Sequence, residues 1–169
     1  MKTLLVLRHV KASQDSPSGM DFDRPLKPRG HRQSLALGQM MRERGMTVEA
    51  IVASPATRVV ETISSVIEGA ELACEPKYDR RIYNASPEAL SEVVRQADDN
   101  VECLLIAGHN PGLQSLILHL AQQDDNGLRA DVASAYPTAT LAELRLSIEH
   151  WRDVGRDSGR IVSLLRPDD

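Results

Sequence analysis

Two histidines each stand just past a short apolar run: Arg8-His9 follows Thr3–Leu7, and Gly108-His109-Asn110-Pro111-Gly112 follows Cys-Leu-Leu-Ile-Ala within Glu102–Gly108. A third run, Ala50–Ser54, leads into Ser54-Pro55-Ala56-Thr57-Arg58. All three are nearly continuous apolar stretches of strand length, the pattern of strands buried on both faces. In open α/β sheets ligands collect beyond the carboxyl ends of the strands. If these strands are neighbours, two imidazoles and two guanidiniums converge on one spot. That set suits phosphoryl transfer. A neutral imidazole is a competent nucleophile near pH 7, since its unperturbed pKa is about 6.5, and adjacent arginines favour the neutral form. Arg8 and Arg58 can each fork onto phosphate oxygens. Arg58 falls in the first turn of a predicted helix, where the dipole and free N–H groups also favour an anion. The transition state spreads charge over the equatorial oxygens, so positioning and positive charge dominate.

The elements that must position these residues alternate between strand and helix. Gly30–Arg44 is rich in helix formers and stops at Gly45. Ala56–Glu68 sets Val59, Val60, Ile63, Val66 and Ile67 on one stripe and ends at Gly69. Ser86-Pro87 reads as an N-cap and first helical position, and Leu113, Leu116, Ile117 and Leu120 mark a further helix. Ala142–Ile148 alternates as a half-exposed antiparallel strand, Arg160–Leu165 returns beside it, and Glu71–Glu75 is a weaker strand candidate. The expected fold is α/β, a three-layer sandwich on a mainly parallel central sheet with an antiparallel edge, formed by residues 1–169 as a single domain. The irregular segment Ala12–Pro28 is long for a compact domain, which favours a functional loop.

Composition bounds the rest. The chain has 169 residues, 41% hydrophobic and 26% charged, as in ordinary globular proteins. Aromatic residues make up only 3%, which argues against nucleic-acid binding by base stacking. No stretch approaches the ~20 apolar residues of a membrane span. The short apolar run before Arg8 is not a signal-peptide core. Cys74 and Cys103 lack the spacing of a metal site or disulfide scaffold, so a cytoplasmic location is expected. The net charge of −4 hides an asymmetry: residues 1–60 carry ten Lys or Arg against five acids, and residues 61–169 ten against nineteen. Such an excess suits a positive site for an anionic substrate.

Leu7-Arg8-His9-Val10-Lys11-Ala12-Ser13 resembles the first histidine signature of the histidine phosphatase superfamily, in the form of its SixA-type branch. Asp21-Phe22-Asp23-Arg24-Pro25-Leu26 followed by Pro28-Arg29-Gly30, Ser54-Pro55 with Arg58 and Thr62, Gly108-His109-Asn110-Pro111-Gly112, and Pro137-Thr138 resemble the branch's later blocks, in order. The resemblance implies a phosphoglycerate-mutase-like fold and a phosphatase working through a phosphohistidine on His9. It further implies phosphate binding by Arg8, Arg58, His109 and Arg24, and no metal or organic cofactor. The expected partner is a phosphorylated protein or a small phosphorylated molecule, with no nucleic acid and no membrane, and the chain is expected to be a monomer.

Two departures bear on substrate. Val10 replaces the usual Gly or Ala and is expected to narrow the space beside His9. In Tyr78–Asn84, Arg80 stands where larger members supply a general-acid Glu, with Asp79 adjacent and expected to point elsewhere; Asp21 is the reserve acid, its bland alternative being a loop-capping role. Losing an acid costs a phosphoester typically ~10²–10⁴-fold and a phosphoramidate much less. The expectation is therefore hydrolysis of protein phosphohistidine. The alternatives are a small-molecule phosphomonoesterase and a weakly catalytic phosphoprotein-binding module.

Overall fold

The computed structural model describes residues 1–167. Its centre is a six-stranded sheet in the order β3-β2-β4-β1-β5-β6. The strands are β1 (Lys2–Arg8), β2 (Ala50–Ala53), β3 (Pro76–Tyr78), β4 (Cys103–Gly108), β5 (Leu141–Leu146) and β6 (Gly159–Leu165). β1 and β2 lie parallel on either side of β4, and β3 extends the parallel half beyond β2. β5 runs antiparallel to β1, and β6 antiparallel to β5, forming the expected antiparallel edge.

Alternation along the central strands builds two cores. Leu4, Val6, Leu104 and Ile106 face one way, towards α3 (Pro87–Arg95), α4 (Gly112–Leu120) and α5 (Leu128–Ser134). Leu5, Leu7, Leu105 and Ala107 face the other way, towards α1 (Pro28–Glu43) and α2 (Thr57–Ala70). Helices therefore cover both faces, which is why β4 is buried at all six positions.

Gly45 takes the expected left-handed turn after α1, with φ 69°. Ser86 caps α3, its Oγ accepting from the Ala89 N–H at 3.2 Å. Two expectations need correction. The strand placed at Glu71–Glu75 lies at Pro76–Tyr78, because α2 runs to Ala70 and turns off through Glu71 at φ 55°. Gly69 is accordingly not a terminator. A Cβ there would stand 2.2 Å from the Leu35 carbonyl oxygen, and one at Gly38 would stand 2.4 Å from that of Val66. These glycines let α1 and α2 touch backbone to backbone. Gly69→Ala must push the helices apart, and it is expected to lower stability by about 2–3 kcal/mol, read as a fall in the urea midpoint.

Candidate active site

β1, β2 and β4 are adjacent and parallel, so their carboxyl ends deliver three loops to one place. Arg8 and His9 leave β1, Ser54 leaves β2 just before α2, and His109 leaves β4 just before α4. Arg58 sits in the first turn of α2, 5% exposed. Arg8, His9, Arg58 and His109 line a cavity of about 320 Å³ together with Asp21, Arg24, Lys11 and Asn84. The fold thus brings together all six residues singled out from the sequence.

Hydrogen bonds fix the tautomer of each imidazole. His9 Nδ1 lies 2.7 Å from the Val10 carbonyl oxygen, which can only accept, so Nδ1 carries the proton and Nε2 keeps its lone pair. That lone pair faces the Arg58 guanidinium, whose Nε donates to it at 3.4 Å. Arg58 also donates to His109 Nδ1 at 3.3 Å, which leaves the His109 proton on Nε2, donated to Ser54 Oγ at 2.8 Å. The two rings lie 5.4 Å apart. Burial is the main cause that depresses both, reinforced by the surrounding cations, lowering His9 to about 4 and His109 to about 3. Both are neutral at pH 7.

Asp21 anchors the far side. Its carboxylate accepts from the Tyr83 hydroxyl at 2.7 Å, from Arg58 at 3.1 Å and from Arg24 at 3.0 Å. These bonds, the tyrosine's foremost, lower its pKa to about 2. Arg24 also holds the loop by donating to the Ser13 carbonyl at 2.9 Å. Asp79 points elsewhere, onto Arg81, and Arg80 rests over the Phe22 ring at 5.2 Å. Val10 does not narrow the site. It is fully buried with Ala12, Leu26 and Ala139 and approaches the space a Cβ on Gly30 would fill, so its branches pack away from the catalytic cavity.

Sequence reasoning missed Tyr83 and Tyr136 and assigned no contact to Ser54. Tyr136 donates to the Val6 carbonyl at 2.6 Å, while its own carbonyl accepts from Arg8 at 2.9 Å and from Asn110 at 3.0 Å. Arg8 Nε is buried without a partner among the described residues.

Residues 4–85 match the model of the histidine phosphatase superfamily (branch 1). A protein of Mycobacterium tuberculosis, Rv1276c, is 33% identical over 164 residues, spanning 95% of this chain and 99% of that one. The chain belongs to the histidine phosphatase superfamily. The fold of this histidine phosphatase is similar to SixA from Nakamurella multipartitia, with a TM-score of 0.83 and 23% identity, covering 98% of this chain and 96% of that one. It is also similar to SixA from Agrobacterium tumefaciens, with a TM-score of 0.79 and 25% identity, covering 98% of each chain. These likenesses put the histidine phosphatase in the SixA-type branch. It is a phosphatase.

The depressed histidines make the phosphatase acid-sensitive in a defined direction. Between pH 6.5 and about 4 the unfolded chain binds more protons than the folded one, so stability rises with pH there. The contribution is complete above pH 6.5 and is lost as pH falls towards 4 for His9 and 3 for His109. For His9 alone it is on the order of 3 kcal/mol. Urea midpoints are expected to fall from pH 7.5 to 4.5, and less steeply in a His9→Gln variant. Equal slopes in the two proteins would contradict the assignment.

Proposed function

We propose that this phosphatase removes the phosphoryl group from a phosphorylated histidine on a partner protein, through a phosphohistidine formed on its own His9. The observation that carries the substrate class is the state of Asp21. It bears the only carboxyl group among the described residues lining the catalytic cavity, and it is held ionised with a pKa of about 2. A phosphoester with an alkoxide leaving group needs a proton from such a group, and at pH 7 Asp21 has none to give. A phosphohistidine does not need it, because its distal ring nitrogen takes a proton from solvent near neutral pH, and the ring then departs as neutral imidazole.

His9 Nε2 attacks phosphorus in line, the P–N bond of the substrate breaks, and its electron pair stays on the leaving nitrogen. The proton stays on Nδ1, donated to the Val10 carbonyl, where that bond supports the positive charge His9 acquires. Water then attacks phosphorus, the P–Nε2 pair returns to His9, and phosphate leaves while the water proton passes to solvent. Arg58 and Arg8 hold the phosphoryl oxygens, and the unpartnered Arg8 Nε is a donor that an oxygen would satisfy. His109 gains a proton as the dianion arrives, because a nearby negative charge raises its pKa, and then donates to the phosphoryl group. Arg24 keeps the Asp21 loop in place.

SixA from both Nakamurella multipartitia and Agrobacterium tumefaciens is named as a candidate phosphohistidine phosphatase, which favours the same substrate class. Cys74 and Cys103 are free thiols, as suits a reducing cytoplasm. Among the described residues no helix is long and apolar enough to cross a membrane.

The test compares a phosphohistidine carrier protein with an alkyl phosphomonoester, for wild type and Asp21→Asn. The wild type is expected to favour the phosphohistidine in kcat/KM by at least about 10²-fold, and the variant to keep that preference. Equal hydrolysis of the alkyl ester, lost in Asp21→Asn, would make Asp21 a general acid and sink the proposal.

A further inference from the structure

Beside the catalytic cavity lies a larger one of about 710 Å³, and the two share Lys11, Ala12, Gln14 and Thr138. Beyond that common wall the larger cavity carries Lys27 and Arg29, at the start of α1, and Arg166, just after β6. No Asp or Glu is among the described residues that line it. The protein carries a net charge of −4, so a wall with four cations and, among the described residues, no acid is a local reversal of sign. Three of the four come from the cation-rich first 60 residues.

The floor between the cavities is firmly built. Val10, Ala12, Leu26 and Ala139 form a small buried cluster, and Ala12 bridges to Leu26. The Ala139 N–H reaches the carbonyls of Arg8 and His9 at 3.2 and 3.0 Å, with Ala139 held at φ 63°. Whatever occupies the basic cavity is thereby seated at a fixed offset from the nucleophile. Arg166 is steadied by donating to Thr140 Oγ1 at 2.9 Å.

We infer that the basic cavity receives an acidic segment of the partner protein, aspartate or glutamate side chains that flank the phosphorylated histidine. The inference rests on the phosphohistidine reading above. A phosphohistidine hands only its phosphoryl group to the smaller cavity, so the neighbouring chain stays outside it, within reach of the adjoining larger one. Lys11, Lys27 and Arg166 are exposed. They therefore meet a carboxylate at a wet surface with little desolvation, and they orient and speed the encounter more than they tighten it.

The test uses two phosphohistidine peptides, alike except that one has three aspartates beside the histidine and the other three asparagines. The wild type is expected to favour the acidic peptide in kcat/KM by about tenfold at low salt, with most of the preference gone near 0.5 M salt. In Lys27→Gln/Arg166→Gln the preference should collapse to below about threefold. Lys27→Gln alone, which leaves the Arg166–Thr140 bond intact, should lose part of it. Each variant's thermal midpoint checks that it is folded. Equal rates for the two peptides in the wild type, or a preference that survives the double substitution, overturns the inference. Losses confined to small substrates with a second phosphate overturn it as well, and reassign the cavity to that phosphate. If neither peptide is hydrolysed while a phosphomonoester is, the phosphohistidine reading itself has failed.

Discussion

His9→Ala is expected to lower kcat by more than about 10³-fold on every phosphorylated substrate. The substitution removes the imidazole whose Nδ1–H is bonded to the Val10 carbonyl and whose Nε2 lone pair meets Arg58 Nε at a long 3.4 Å. His109 cannot stand in for it. Its Nε2–H is committed to Ser54, which leaves only the Nδ1 lone pair, crowded by the residue's own Cβ. Nothing else lining the cavity offers an unprotonated nitrogen at pH 7, since lysine and arginine keep their protons. The covalent intermediate gives a second readout. Brief exposure of wild type to radiolabelled phosphoramidate should leave an acid-labile, alkali-stable label on the protein, and His9→Ala should take up none. Turnover retained by a folded His9→Ala protein would refute the covalent route.

Arg58→Ala is expected to cost about 10²–10³-fold in kcat/KM. One guanidinium here touches His9 Nε2, His109 Nδ1, the Asp21 carbonyl at 2.8 Å and the Asp21 carboxylate. Arg58→Lys keeps the charge but not the planar fork, so it is expected to recover less than about tenfold of the loss. The pH profile distinguishes an electrostatic role from simple disruption. Arg58 is one of the charges that depress His9, second to burial among the lowering causes. Without it the acid limb of kcat/KM should move to higher pH. A loss of activity with that limb unmoved would mean that Arg58 acts by holding the Asp21 loop.

The convergence at the strand ends was legible because β1, β2 and β4 are sandwiched between helices. Burial on both faces demands unbroken apolar runs, and each run ends visibly at a polar motif. β3 was misplaced because it has three residues, two of them exposed, and so almost no pattern to read. α5 escaped for a similar reason, with Val132 its one fully buried residue. Tyr83 and Tyr136 act on partners 62 and 130 positions away, and such bonds leave no local spacing. The reversed roles of Gly69 and Val10 share another cause. A sequence shows that a residue is small or branched, but only packing shows which neighbour that shape serves.

The strand order carries a consequence for how the protein is made. Of the six strands β1 is synthesised first, yet its partners on the two sides are β4 and β5, roughly 100 and 140 residues later in the chain. Until Cys103–Gly108 has emerged, Lys2–Arg8 has no parallel edge to join, and its apolar side chains wait uncovered. Pairing across such separations carries a large loop-closure entropy and slows folding. Arg8 ends that strand and His9 follows it, so the nascent chain carries both long before the central sheet closes and seats them. Activity should therefore arrive with the last stage of folding, which makes turnover a sharp gauge of the finished molecule.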